Sequence, residues 1–226
     1  MKVALLLTGL PRKVEEGYEH YWKNIVENYD TDVYLHFWED EEYKKVLNVY
    51  NPVKFVKEIP FKFTEYKQGI NSYFRDGITP DDLARPLEEY DVAGNFRSLP
   101  MFYSWQRGYS LIEGEYDCVI RSRYDLGTST PIKLENLDLT KINTSAMHWP
   151  GTTIFDDNLC ISNQANADKI YSNIFNELIG FIRFTGVIHF AERNFTEMLD
   201  IKGLYDDTIK TNELPFELLR EHKLWY

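Results

Sequence analysis

The chain has 226 residues, 43% of them hydrophobic and 27% charged, which is room and composition for one sizeable α/β domain. A formal net charge of −11 argues against nucleic acid or an anionic membrane surface as a nonspecific partner, because the overall field repels them, but leaves small anions that a few focused arginines can hold. The two cysteines, Cys118 and Cys160, both fall in apolar strand-like runs, so neither a disulfide framework nor a zinc site is expected, and a reducing cytoplasm suits them. Lys2 to Leu7 is too short an apolar run for a signal peptide or a membrane span, and stable membrane insertion is not expected.

In chain order, Val3 to Leu7 is continuously apolar and reads as a central parallel strand buried on both faces. The chain turns at Thr8-Gly9-Leu10-Pro11-Arg12. Lys13 to Asn28 then places Val14, Tyr18, Tyr21, Trp22, Ile25 and Val26 at helical spacing. Strand, glycine turn and helix open a nucleotide-binding α/β unit, in which the glycine permits close backbone approach and Arg12 can meet a phosphate. Neither GxGxxG nor GxxxxGK is present, so an ordinary βα turn is the competing reading. Thr31 to Trp38 is a second strand, Glu39 to Tyr50 the next helix, and the alternation of Val53 to Ile59 a strand nearer an edge. His36 and Trp38 fall at the carboxyl end of the second strand, where open α/β sheets bind ligands, although a packed histidine is the plainer reading of His36.

From Pro60 to Pro100 the periodicity weakens, and the aromatic content points to an ordered excursion with short helices such as Thr79 to Glu89. Ser98 and Pro100 announce a helix from Met101 to about Gly114, with Phe102, Trp105 and Tyr109 inward and Ser104 and Arg107 on faces that can reach a ligand. Then comes Tyr116 to Thr128, YDCVIRSRYDLGT, around which the chain is organised. An apolar strand there discharges Arg121, Arg123 and Asp125 at its carboxyl end, which makes either an active-site edge or a set of structural ion pairs. Ile142 to Trp149 and Asn158 to Ser162 read as strands joined through Pro150, Gly151 and the acidic pair Asp156-Asp157. Asp168 to Phe184 is a helix, Ala191 to Asp200 is another that starts with Glu192, and Thr208 to Arg220 is a last strand or an extended tail.

The polar clusters suit one chemistry. A nucleotide diphosphate needs positive charge or a divalent cation, and hard cations take carboxylate oxygens, for which Asp125 and Asp156 or Asp157 are available. Arg121 and Arg123 suit phosphate oxygens through bidentate hydrogen bonds.

The segments LLLTGLPRKVEEGYEHYWKNI, LHFW, LPMFYSWQRGYSLI, YDCVIRSRYDL and FDDNLCIS together resemble viral and bacterial glycosyltransferases. They are similar to the WavE-type lipopolysaccharide-synthesis proteins and to small GT-A-like domains of phages and large algal viruses. The resemblance runs from Lys2 to about Phe195. It implies a single GT-A-like, Rossmann-related α/β domain with a central mixed, mostly parallel sheet flanked by helices. Residues 1–130 would be the nucleotide-sugar half and 131–226 the acceptor side. It also implies a nucleotide-diphosphate sugar as donor, a glycan or glycoconjugate acceptor, and Mn²⁺ or Mg²⁺. Where such folds carry an acidic DxD motif, this chain has Arg123-Tyr124-Asp125, one acid where two are expected. By this comparison Thr8, Gly9, Arg12 and Trp38 line the nucleotide pocket, beside the Ser104, Arg107, Arg121 and Arg123 already singled out. Asp125 inherits the metal, and His189 could complete its site, although a buried, hydrogen-bonded histidine is the plainer reading of His189. Asp157 and Glu192 are the candidates for the base that deprotonates the acceptor hydroxyl; a turn residue and a helix-start carboxylate are their plainer readings.

Two other functions compete. TGLPRK superficially resembles the phosphosulfate loop of a sulfotransferase or nucleotide kinase, yet Glu15 and Glu16 follow where phosphate would be repelled. A noncatalytic carbohydrate-binding or assembly protein on a degenerate transferase fold would explain the missing second acid.

Overall fold

The computed structural model describes residues 1–40, 43–60, 63, 98–128, 130–146 and 151–219. Its first strand, β1 (Lys2–Gly9), buries Val3 to Leu7 completely because parallel strands flank it on both sides, β2 (Asp30–Trp38) and β4 (Cys118–Ser122). The remaining strands of the main sheet are β3 (Lys54–Glu58), β6 (Ile142–Ser145), β7 (Cys160–Ser162) and β8 (Thr208–Thr211). Their order is β3-β2-β1-β4-β7-β6-β8. Strand β7 runs antiparallel to both its neighbours and every other pairing is parallel, so the sheet is mixed and mostly parallel, as expected. The β4–β7 pairing joins the two halves of the chain in one sheet. A separate pair, β5 (Leu126–Gly127) and β9 (Glu217–Leu218), hangs from the end of β4.

Among the described residues are six α-helices, α1 (Val14–Tyr21), which runs on as a π-helical turn over Trp22–Val26, α2 (Tyr43–Tyr50), α3 (Ser98–Tyr109), α4 (Gln164–Tyr171), α5 (Ile174–Thr185) and α6 (Ala191–Ile201), and a 3-10 turn over Leu134–Asn136. Strand alternation sorts side chains between two cores. Leu5, Leu7, Leu35, Phe37 and Ile120 pack with Tyr21, Val46 and Tyr50 on the α1–α2 side. Ala4, Leu6, Tyr34, Trp38 and Val119 pack with Phe102, Trp105, Leu178 and Phe195 on the α3 side. The same alternation sends His36 and Arg121 toward α3, and Ser122 toward α1. The buried, free thiols of Cys118 and Cys160 belong to opposite cores, which accounts for the absence of a bridge between them.

Helix α3 lies unusually close to the sheet. A Cβ at Gly108 would stand 2.9 Å from Leu6 Cδ1, 3.0 Å from Thr8 Cγ2 and 3.2 Å from His36 Cβ, so glycine is what allows this approach. The helix starts at Ser98, three residues before the expected Met101, with Pro100 in the first turn where no backbone donor is required.

Other boundaries differ from expectation for local reasons. The helix expected over Asp168 to Phe184 is two. Asn163 caps α4 by accepting from Asn166 N at 2.9 Å, and Asn173 leaves helical geometry (φ −140°, ψ 16°) before α5 begins, while the apolar period passes through the break unchanged. The strand expected over Ile142 to Trp149 ends at Ser145, and 147–150 lie outside the described residues, as does the helix expected at Thr79 to Glu89. The expected final strand divides into β8 and β9, separated by a turn. No described helix is long and apolar enough to cross a membrane.

Candidate active site

The carboxyl end of β4 carries the densest polar chemistry. Arg121 is fully buried beneath α3, with its guanidinium carbon 4.0 Å from the centroid of the Trp105 ring. Its Nη1 donates to the Asn158 carbonyl at 3.4 Å, whereas Nε and Nη2 have no hydrogen-bond partner among the described residues. Burial opposes the charge, but Tyr171, Cys160 and Asp157 around the guanidinium outweigh it, and the group's affinity for its proton is raised. Tyr171 and Cys160 are themselves pushed up by burial and stay neutral, so of these three groups Asp157 is the one that can carry a charge opposite Arg121 near neutral pH. Tyr171 lies beside Arg121 without hydrogen-bond geometry.

Arg123, just past the end of β4, has 26% of its side chain exposed. Its Nε and Nη2 donate to Asp125 Oδ1 and Oδ2 at 2.8 and 3.0 Å, a bidentate pair, and its Nη1 donates to Asn158 Oδ1 at 3.0 Å. Asn158 in turn donates from its backbone and side-chain nitrogens to Asp156 Oδ1 at 2.7 and 3.0 Å. One network therefore joins the RSRYD turn to the FDDN loop. Helix α1 clamps it from below: Tyr21 donates to the Arg123 carbonyl at 2.5 Å and shares a 2.7 Å hydrogen bond with Ser122. Tyr124 is buried at the sheet edge, where its hydroxyl donates to the Leu7 and His36 carbonyls at 3.3 and 3.1 Å.

Asp157 is buried, and Glu192, in the first turn of α6, has the largest effect on it of the acidic groups around it. Burial, then the charges of Glu192 and Asp156, raise the Asp157 carboxyl to about 7, against partial relief from Arg121 and Arg123. A carboxyl poised there can hold or release a proton at neutral pH.

At the ends of β1 to β3 stands a second cluster. His36 is buried, with Nδ1 2.5 Å from Ser104 Oγ and Nε2 3.0 Å from Glu58 Oε2. Arg107 donates to Glu58 Oε1 from Nε at 3.2 Å and Nη2 at 3.1 Å. Burial alone would raise Glu58, but the His36 hydrogen bond and Arg107 hold it below the usual carboxylate range. Burial also lowers His36, which is neutral; with Glu58 ionised, Nε2 carries the ring proton and Nδ1 accepts from the Ser104 hydroxyl. Trp38 is buried against Tyr103, stacked at 5.7 Å, and against Phe63. Thr8 is buried beside His36, Gly9 has φ +106°, and Arg12 is exposed in the turn beyond.

The expected donor residues thus fall into two groups, Thr8, Gly9, Arg12, Trp38, Ser104 and Arg107 in one and Arg121 and Arg123 in the other. Ser104 commits its hydroxyl to His36 and Arg121 is enclosed, so of these expected donor-binding arginines Arg12, Arg107 and Arg123 have solvent-facing surface. The donor set expected for Mn²⁺ or Mg²⁺ does not fit a hard cation as it stands. Both Asp125 oxygens are taken by Arg123, Asp125 is flanked by residues of the α1–α2 core and His189 by residues of the α3 core, and no three His, Cys, Asp or Glu side chains among the described residues form a metal-holding group.

Sequence reasoning missed Asn158, Glu58, Tyr21 and the role of Trp105. Asn158 carried a signal, since Asp-x-Asn favours the local side-chain-to-backbone turn that it makes with Asp156. Trp105 reads only as one member of an apolar stripe.

No protein-family model matches the sequence, and no match appears among curated proteins. Among solved structures, the chain is similar to the glycosyltransferase GlyE of Streptococcus pneumoniae TIGR4, with 12% identity and a TM-score of 0.47 over 93% of this chain and 45% of that one. For the apo form of GlyE the TM-score is 0.46 at 12% identity, over 92% of this chain and 45% of that one. It is also similar to the apo form of mouse xyloside xylosyltransferase 1, with 12% identity and a TM-score of 0.41 over 93% and 85% of the two chains. The chain spans less than half the length of the GlyE structures.

Proposed function

We propose that the protein is a glycosyltransferase that moves a sugar from a nucleotide-diphosphate donor to a hydroxyl of a glycan or glycoconjugate. The observation that carries this reading is Asp157, a buried carboxyl held at about 7 by burial and by Glu192, placed beside two arginines at the carboxyl end of β4. In the transfer, ionised Asp157 takes the proton from the acceptor hydroxyl as that oxygen bonds to the anomeric carbon. The bond from the anomeric carbon to the diphosphate breaks, and its electron pair leaves with the nucleoside diphosphate. Arg123, on the exposed side of the network, faces the charge that develops there. Arg121 serves from within, as the counter-charge that keeps Asp157 from rising further. The sequence resemblance favours the viral and bacterial lipopolysaccharide-synthesis type. Metal assistance would require Asp125 to leave Arg123, and no step above uses it.

The closed Arg123–Asp125 pair gives a second reading its support, a noncatalytic carbohydrate-binding protein on a transferase fold. Thermal shift with UDP-, GDP-, CMP- and dTDP-sugars, each with and without Mn²⁺, followed by release of free sugar or transfer to glycans, separates the two. Stabilisation and turnover by at least one donor are expected, with turnover lost in Asp157→Asn. Stabilisation by adenosine 3′,5′-bisphosphate and by no sugar nucleotide would overturn the transferase reading.

A further inference from the structure

A cavity of about 320 Å³ lies between α6 and the loop from β6 to β7, lined by Thr153, Arg193, Thr196, Glu197, Asp200 and Tyr205. Its size is at the lower end of small-molecule sites, on the order of 300–1,000 Å³, and accommodates a sugar ring. The wall is tied to the candidate base. Thr196 Oγ1 accepts from Phe155 N at 2.9 Å and donates to the Glu192 carbonyl at 2.9 Å, so a lining residue is hydrogen-bonded both to the chain two residues before Asp157 and to Glu192 one helical turn back.

Its lining says what it takes. Arg193 pairs with Glu197 at 2.5 Å, which fixes both side chains along the wall, and Arg193 Nε is enclosed behind it. Glu197 and Asp200 provide acceptors suited to hydroxyl pairs, and Tyr205, whose ring meets Phe155 edge-on at 5.2 Å, provides an aromatic surface. Two carboxylates against one guanidinium leave an excess negative charge, which disfavours a phosphate, a nucleotide or an acidic sugar. We infer that this cavity is a binding subsite for a neutral, hydroxyl-rich pyranoside and presents the acceptor to Asp157. The acceptor role rests on the transferase reading; the saccharide specificity does not.

Saturation-transfer NMR and calorimetry with p-nitrophenyl β-glucoside, β-galactoside, α-mannoside and N-acetyl-β-glucosaminide, with p-nitrophenyl glucuronide as the anionic control, test it on the full chain. At least one neutral glycoside is expected to bind and the glucuronide not to. Asp200→Asn and Glu197→Gln should each weaken that binding about tenfold, as for hydrogen bonds to a charged group, with any sugar-nucleotide shift unchanged and, for Asp200→Asn, the thermal midpoint unchanged. Absence of binding by every neutral glycoside, equal or tighter binding of the glucuronide, or affinity unmoved in both variants overturns the proposal. Glycoside binding without any sugar-nucleotide binding upholds the cavity and sinks the transferase reading, and the converse upholds the transferase and sinks the cavity.

Discussion

Replacing Asp157 with asparagine should make the protein more stable, by an amount that depends on pH. The folded environment carries this carboxyl from 3.8 to about 7. Below pH 3.8 the group is protonated in both the folded and the unfolded chain and contributes nothing. As pH rises past that value the unfolded chain releases the proton while the folded one retains it, so folding becomes less favourable until about pH 7 and the cost is constant above it. At about 1.4 kcal/mol per pH unit the cost is about 2 kcal/mol at pH 5 and about 4 kcal/mol at pH 8. Asparagine, which keeps the shape and discards the charge, removes it. Urea unfolding of wild type and Asp157→Asn at pH 5, 6, 7 and 8 reads the difference, in which groups remote from Asp157 cancel and Glu192 and Asp156, whose charges act on it, are included. For a chain of this size the thermal midpoint at pH 8 should rise by about 8–16 °C, at about 2–4 °C per kcal/mol. A stability difference that stays flat with pH, or an asparagine variant less stable than wild type at pH 8, would refute the reasoning.

Arg121→Gln removes the buried cation that relieves Asp157, so the Asp157 carboxyl should titrate above about 7 in this variant; ¹³C NMR titration of that carboxyl checks it, and an unchanged or lower midpoint contradicts the assigned counter-charge. Gly17→Ala should destabilise the fold by about 2 kcal/mol or more, because a Cβ there collides with the backbone carbonyl of Tyr124 and forces α1 off the RSRYD turn. Urea unfolding measures this, and a neutral effect would mean that α1 does not rest on that turn as described.

The sheet was legible because burial on both faces leaves an unmistakable mark: Val3 to Leu7 and Thr31 to Trp38 read as strands from composition alone and are strands. The site was legible at the level of segments. The RSRYD turn and the FDDN loop were both singled out, and the structure joins them through Asn158. What the sequence did not display is which charge answers which. Arg121 and Arg123 stand two apart and look equivalent, but strand alternation seals the first beneath Trp105, while the second, just past the strand, turns back onto Asp125. Ser104 read as a residue free to reach a ligand because nothing in a linear pattern reveals that His36 lies 2.5 Å away on another element. The α4–α5 break was invisible for a related reason, since apolar spacing reports the buried face and not the continuity of the hydrogen bonds beneath it.

Ser104 and Trp105 are consecutive residues of α3, and they rest on different sites, one on His36 and the other on Arg121. The helix works as a yoke across the sheet. Gly108, one turn on, fixes its height over β1 and β2, so α3 cannot lift at one end without loosening its grip at the other. Consecutive residues of one helix thus serve the polar clusters at the ends of two different strands, so the spacing between those clusters is set by the pitch of α3.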